Sequence, residues 1–102
     1  MHVVVDLCVI PIGVGVSLSE YIAEIQRTLE KAAGISFEMH AYGTNIEGEW
    51  DDVFGIVKEC HQMVHNMGVP RIATTVKVGT RVDRRQSMND KLRSVAEKLK
   101  PA

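Results

Sequence analysis

The spacing of hydrophobic residues changes several times along this chain, and each change indicates a new secondary-structure element. Residues 3–10 form a run rich in valine and isoleucine, which is typical of a strand. Apolar residues then recur every three or four positions up to Ala32, as on one face of a helix, and from Ile35 they alternate, as along a strand. The whole pattern predicts strands at about 3–11, 35–42, 44–49 and 71–81, and helices at about 17–33, 51–67 and 87–99.

The ends of the first helix are predicted from the residues that flank it. Ser17 and Glu20 match a capping box, in which the serine side chain accepts from the backbone three residues on and the glutamate reaches back. Val16 would pack on Tyr21 as a hydrophobic staple, and Gly34 would stop the helix. We therefore expect the helix to begin at Ser17.

The order of elements predicts the fold class. A βαββαβ order with right-handed crossovers gives an α+β ferredoxin-like plait: a four-stranded antiparallel sheet, two helices on one face, and here an extra C-terminal helix. We expect Asp6 and Lys77 to pair across neighbouring strands on the other face, and that face to pack against a second sheet or a ligand. Its residues would be Asp6, Cys8, Glu38, His40, Tyr42, Ala73, Thr75 and Lys77.

Length and composition limit the classes of protein. The 102 residues are expected to form one domain, 1–102. A net charge of -1 argues against a protein that coats nucleic acid, and no apolar run approaches the roughly 18 residues of a membrane span. Cys8 and Cys60 lie in apolar runs, so reduced thiols and a cytoplasmic location are expected.

The densest chemistry lies at one junction between elements. Residues 42–52 contain four carboxylates, the only tryptophan and two glycines, a composition that indicates a small-molecule site. The alternative is structural: a hairpin followed by a helix whose first turn is acidic, because carboxylates at a helix N-terminus are stabilised by the helix dipole. Composition alone favours this second interpretation for Asp51 and Asp52.

Other motifs are weaker. No catalytic constellation is found, and Gly13-Val14-Gly15 is better explained as a strand-to-helix turn than as an anion loop. His61 and His65 have the spacing of metal ligands, but a glutamine at 62 replaces the glutamate of a zinc protease, so no metal site is predicted. Arginines before the last helix could hold an anion or contact another subunit.

Three segments, taken in order, resemble one known family. They are Cys8–Gly13 in the first strand, Gly43–Gly48 leading to Trp50–Val53, and Lys77–Asp83. Their order, their spacing and the chain length resemble the small thiamine-binding, YkoF-like family. The resemblance extends over nearly the whole chain.

The resemblance implies what the protein does and with what it assembles. It implies a subunit that pairs through its sheet, commonly as a homotetramer, and that binds thiamine or its hydroxymethylpyrimidine part without catalysis and without a cofactor. The resemblance implies that Thr44 and Glu47 hydrogen-bond the ligand and that Trp50 or Tyr42 stacks on one of its rings. Asp51 is expected to contact the positive charge of the ligand, and Pro11 to Gly13 to line the same pocket. Arg81 and Arg84 are expected to form a separate anion or subunit contact.

Two alternatives stay open at this point. In one, the protein is a structural or regulatory oligomer, and an anionic metabolite at the arginines acts as its effector. In the other, it is an enzyme in which Glu47, Asp51 and a histidine of another subunit form an acid and base pair. The absence of a catalytic motif favours binding over chemistry.

Overall fold

The computed structural model describes residues 1–101 and forms one four-stranded antiparallel sheet with three helices. The strand order is β2-β3-β1-β4, which places the first strand in the interior of the sheet, as predicted. The ferredoxin-like plait with an added C-terminal helix is thereby confirmed. The elements are β1 (His2–Pro11), α1 (Ser19–Glu30), β2 (Ile35–His40), β3 (Gly43–Glu49), α2 (Trp50–Asn66), β4 (Ile72–Thr80) and α3 (Met88–Leu99).

The core lies between the sheet and the pair α1 and α2. Side chains alternate across a strand, so every second residue of β1 points into this layer, and these residues are buried. Because the helices repeat every 3.6 residues, one stripe of each faces the strands. The buried core comprises Val3, Val5, Leu7, Val9, Ile25, Leu29, Ile46, Val53, Ile56, Cys60, Val64 and Val69.

The predicted start of α1 is wrong. The helix begins at Ser19 after Leu18, and no side chain caps it. Gly13 and Gly15 both have positive φ, 82° and 96°, and this turn carries the following residues out into solvent. Val16 is fully exposed, so it cannot act as a staple. The capping box occurs instead at α3.

The predicted pair of Asp6 and Lys77 is also replaced by another contact. The two residues are opposite each other in the register of β1 and β4. However, the Asp6 carboxylate is 2.6 Å from Nε2 of His40, which reaches across the intervening strand β3. Gly43 leaves the space for this: a Cβ there would lie 3.3 Å from Cε1 of His40 and 2.4 Å from a backbone oxygen of β1. The open face is therefore crossed by a His–Asp pair.

Helix α3 is attached to the sheet differently from α1 and α2. Ser87 and Asp90 form its capping box, and none of its residues is buried. The Glu47 carboxylate, on the open face of β3, accepts from the backbone N–H of Met88, the first residue of the helix, at 3.1 Å. None of the helices within residues 1–101 is long and apolar enough to cross a membrane.

Candidate functional site

An apolar groove opens at one end of the sheet, between α1, the end of β1 and the turn that joins β2 to β3. Its volume is about 450 Å³, within the usual range of small-molecule pockets. Ile22 and Gln26 line it from α1, and Leu18, which precedes the helix, continues the same row, because residues four apart lie on the same face of a helix. The remaining lining residues are Leu7, Cys8, Val9, Ile10, Ile25, Met39, His40, Ala41, Tyr42, Gly43 and Thr44.

The groove contains one deeply placed polar pair. Thr44 points from β3 towards the helices and is only 4% exposed. Its Oγ1 accepts a hydrogen bond of 2.9 Å from Nε2 of Gln26. A ligand entering the groove would therefore meet aliphatic walls and one hydroxyl and carboxamide at its deep end.

Tyr42 and His40 lie in or beside the turn at the mouth of this groove. Tyr42 is 87% exposed, so its ring is available to a ligand or another chain. Both ring nitrogens of His40 are engaged, since Nε2 contacts Asp6 and Nδ1 accepts from the backbone N–H of Tyr42. Because Nδ1 accepts, Nε2 carries the ring hydrogen and donates to Asp6. The histidine therefore acts as a structural support of the turn.

Pro11 and Gly13 lie just beyond the groove. Pro11 is buried at the end of β1, and Gly13 is in the exposed turn that follows. Neither contributes to the groove wall, although Ile10 and Leu18, which line it, flank this loop. Pro11 and Gly13 therefore flank the groove rather than line it.

Glu47 is not part of the groove. It lies three residues after Thr44, and an odd spacing along a strand places two side chains on opposite faces. Its side chain is 13% exposed, and Oε2 accepts from Met88 N–H and contacts Nε2 of His2 at 3.2 Å. Thr44 and Glu47 therefore lie on opposite faces of the sheet within this subunit, and Glu47 does not face the groove.

Trp50 and Asp51 lie at the other end of the sheet, in the first turn of α2. The Trp50 backbone N–H donates to the carbonyl oxygen of Met1, and its ring packs on Phe54 with centroids 4.6 Å apart. Asp51 borders a shallow surface depression beside Asp52 and away from the groove. The structural interpretation of this acidic helix start agrees with the geometry.

The two predicted anion-binding arginines are also separated. Arg81 is held by both carboxylate oxygens of Asp83, and this contact lowers the pKa of Asp83 to about 2. Arg84 lines a different depression of about 290 Å³, together with Arg85 and Arg93. Arg81 and Arg84 therefore do not form one site.

The histidines of α2 form structural contacts. Nε2 of His61 lies 2.6 Å from Oγ1 of Thr74 on β4, and Nδ1 of His65 lies 2.7 Å from the carbonyl oxygen of Val69. Within residues 1–101, no group of three or more histidine, cysteine, aspartate or glutamate side chains is placed to hold a metal ion. The contacts explain both histidines without an ion.

Gln26 lines the groove, and it was not predicted from the sequence as a site residue. A signal for it was present: Gln26 continues the i, i+4 row of Leu18 and Ile22, so a polar residue occurs where the pattern predicts an apolar one. A polar side chain on the buried side of a helix usually has a partner. Here the partner is Thr44, in the strand opposite.

Comparison with known proteins identifies relatives along nearly the whole chain. A family model described as thiamine-binding protein matches residues 5–96. A UPF0045 protein from Synechocystis sp. is 56% identical over 95 residues, which cover 93% of this chain and 78% of that protein. A UPF0045 protein from Eremothecium gossypii is 36% identical over 100 residues, covering 97% and 94% of the two chains.

Solved structures show the same fold. The crystal structure of a hypothetical protein from Methanocaldococcus jannaschii superposes with a TM-score of 0.86 at 31% identity, covering 94% of this chain and 97% of the other. A protein from Thermotoga maritima, provisionally assigned to thiamine biosynthesis or salvage, superposes with a TM-score of 0.79 at 19% identity, covering 93% and 99%. At that lower identity the likeness concerns the fold alone.

Proposed function

Because the chain belongs to the thiamine-binding protein family, whose model it matches over residues 5–96, we propose that it binds thiamine or its hydroxymethylpyrimidine part in the groove beside α1. The observation that carries the proposal is the pair of Thr44 and Gln26 at the deep end of an otherwise aliphatic groove. A pyrimidine ring has apolar faces and a polar edge, so it matches walls of this kind with one polar pair.

The proposal is one of binding without catalysis. A hydroxyl and a carboxamide do not titrate near neutral pH, so the polar pair in the groove suits recognition better than proton transfer. His40, at the mouth, already uses both ring nitrogens. The choice of ligand class is supported by the family model, described as thiamine-binding protein, that matches residues 5–96.

Isothermal titration calorimetry with thiamine and with hydroxymethylpyrimidine tests this function. We expect the wild type to bind both, and Thr44→Val to lose at least about tenfold in affinity, since a buried hydrogen-bonding group is removed while the shape is kept. The matched control is Trp50→Phe with Asp51→Asn, which alters the start of α2 outside the groove and should bind as the wild type does. Absence of heat and of any thermal shift at millimolar ligand would overturn the proposal.

We also propose that the protein is a cytoplasmic homo-oligomer that pairs through the open face of the sheet, with a tetramer as the complete assembly. The exposed apolar side chains of α3 support the self-association part of this proposal: Leu92, Val95 and Leu99 are 65%, 58% and 79% exposed. The two cysteines are unpaired, as expected in a reducing compartment. Light scattering at micromolar concentration tests the assembly, and a monomer would refute it.

A second candidate function is binding of an anionic effector, and one observation favours it. Arg84, Arg85 and Arg93 outnumber the two carboxylates, Asp90 and Glu97, in the lining of a single depression, and guanidinium groups bind phosphate with paired hydrogen bonds. Thermal shift with inorganic phosphate and pyrophosphate tests this function. A shift in the wild type that disappears in Arg84→Ala with Arg93→Ala would support it, and no shift in the wild type would rule it out.

A further inference from the structure

We propose that the outer edge of β4 pairs with the same edge of a second copy of this chain, so that the two four-stranded sheets join into one continuous sheet. This contact goes beyond the proposed function, because it involves neither the groove nor the open face of the sheet. It specifies one partner, another copy of this chain, and one register of the paired strands.

The outer edge of β4 is long and regular. The strand is last in the order β2-β3-β1-β4, so within residues 1–101 no strand pairs with its outer side. Its nine residues, Ile72–Thr80, contain no proline and pair with β1 without a break in register. An edge of this kind is open to another strand unless charge, proline or a bulge prevents pairing, and Lys77 is its only charged residue.

One hydrogen bond shows which backbone groups point outwards from β4. The N–H of Ile12 donates to the carbonyl oxygen of Arg71 at 2.9 Å, so Arg71 directs its backbone groups towards β1. This direction alternates along an antiparallel strand, so the odd-numbered residues of β4 also face β1. The residues whose N–H and C=O groups point outwards are therefore Ile72, Thr74, Val76, Val78 and Thr80.

These outward groups are arranged symmetrically about Val76. In an antiparallel pair centred there, Val76 lies opposite Val76 of the second copy, and Val78 lies opposite Thr74. All nine residues of the strand find a partner, and every outward N–H meets an outward C=O. The edge is therefore self-complementary, as a two-fold contact between identical subunits requires.

The same register leaves no unbalanced like charges opposite each other. Lys77 lies opposite Thr75 of the second copy. Just beyond the strand ends, Arg71 of the second copy comes beside Arg81, which is paired with Asp83 at 2.6 Å. The Asp83 carboxylate therefore offsets one of the two positive charges that meet there.

Apolar surface beside this edge is partly uncovered in the single chain. Nε2 of His61 lies 2.6 Å from Oγ1 of Thr74, so this side of α2 faces β4. Val78 and Trp50 are 41% and 37% exposed. Because the two-fold axis of an antiparallel strand pair is perpendicular to the sheet, both copies of α2 would lie on the same face and cover this surface. The residues that share this side of α2 are Trp50, Phe54, Val57 and His61.

The edge contact is compatible with pairing through the open face. The open faces of the two joined sheets lie on the same side, so two joined pairs can pack face to face. Two different two-fold contacts at right angles give a tetramer, and either contact alone gives a dimer. Loss of the edge contact should therefore halve the number of subunits.

Native mass spectrometry of the wild type and two variants tests the contact. Val78→Pro removes an outward N–H but no bond to β1, and proline is tolerated at such edge positions. Each strand pair would lose two hydrogen bonds, so we expect association at this contact to weaken at least about 10-fold. The matched control is Val78→Thr, which keeps the N–H and the β-branched shape and should keep the wild-type number of subunits.

Hydrogen exchange in the assembled wild type gives a second measurement that needs no variant. By the same alternation, the N–H of Met39 points outwards at the free edge of β2. The amide of Val76 should therefore exchange at least about 100-fold more slowly than the amide of Met39.

The outcomes separate this inference from the proposed assembly. A wild type that is monomeric at micromolar concentration overturns both. A wild-type oligomer in which Val76 exchanges as fast as Met39 overturns this inference alone, and so does a folded Val78→Pro that keeps the wild-type number of subunits. Circular dichroism verifies folding, and if Val78→Pro does not fold, the exchange measurement decides.

Discussion

Glu47 is expected to hold α3 on the sheet, and replacing it with alanine tests this role. The carboxylate accepts from Met88 N–H at 3.1 Å and contacts His2 at 3.2 Å, with 13% of the side chain exposed. A hydrogen bond to a charged group contributes about 1.5–3 kcal/mol. Only the Met88 bond belongs to α3, so we assign that amount to the attachment of the helix.

The expected effect is local to α3. The helix has 12 residues, none of them buried, and helices of this length are marginal in water on their own. Loss of about 1.5–3 kcal/mol should therefore increase the opening of α3 by roughly 10- to 150-fold, since every 1.4 kcal/mol corresponds to a factor of ten. The sheet with α1 and α2 keeps its core and should be unaffected.

Native-state hydrogen exchange measures this opening directly. The amide of Lys91 donates to the Ser87 carbonyl oxygen, so its protection reports on the first turn of α3, while the amide of Val5 reports on the sheet. Glu47→Gln keeps an acceptor without the charge and should fall between wild type and Glu47→Ala. The protein must be dilute enough to be monomeric. Unchanged protection of Lys91 in Glu47→Ala, or an equal loss at Val5, would refute the reasoning.

Three further predictions follow from single contacts. Gly43→Ala should lower the free energy of unfolding by about 1–3 kcal/mol in urea, because its Cβ would lie 2.4 Å from a backbone oxygen of β1; Gly79→Ala, where the nearest atom is 3.7 Å away, is the control. The pKa of Asp83, lowered to about 2 by Arg81, should return towards 3.8 in Arg81→Ala by NMR titration; its contribution to stability is present above pH 3.8 and lost as the pH falls through about 2. Burial raises the pKa of the Cys60 thiol to about 11, so at pH 8 it should react with a thiol reagent only on unfolding; fast labelling in the native protein would contradict this.

The seven elements could be predicted because the hydrophobic period changes at each boundary. Predicted bounds agree with the structure to within three residues. The start of α1 could not be predicted by the capping rule, because the same pattern of serine and acidic residue occurs at Ser17 and at Ser87, and only the second forms the box. The backbone of the preceding turn, which decides between them, depends on two glycines with positive φ.

The site was less predictable than the fold. Composition placed Thr44, Glu47 and Trp50 in one site because they are close in sequence. However, Thr44 and Glu47 lie on opposite faces of β3, and Trp50 lies in the first turn of α2. Gln26 belongs with Thr44 only through the packing of α1 on β3, a contact across 18 positions. Contacts of this kind follow from the packing of the elements rather than from any local motif.

The attachment of α3 by its first turn also determines how the isolated chain would behave in solution. The Cα radius of gyration is 15.4 Å and the principal extents are 53 × 30 × 20 Å, whereas a chain of this length folded into a sphere-like domain would have a radius of gyration of about 13 Å. A free subunit would therefore diffuse more slowly and scatter X-rays as a longer particle than its mass suggests. Calibration of a sizing column with globular standards would overestimate its mass, so the number of subunits has to be counted by a method that does not depend on shape.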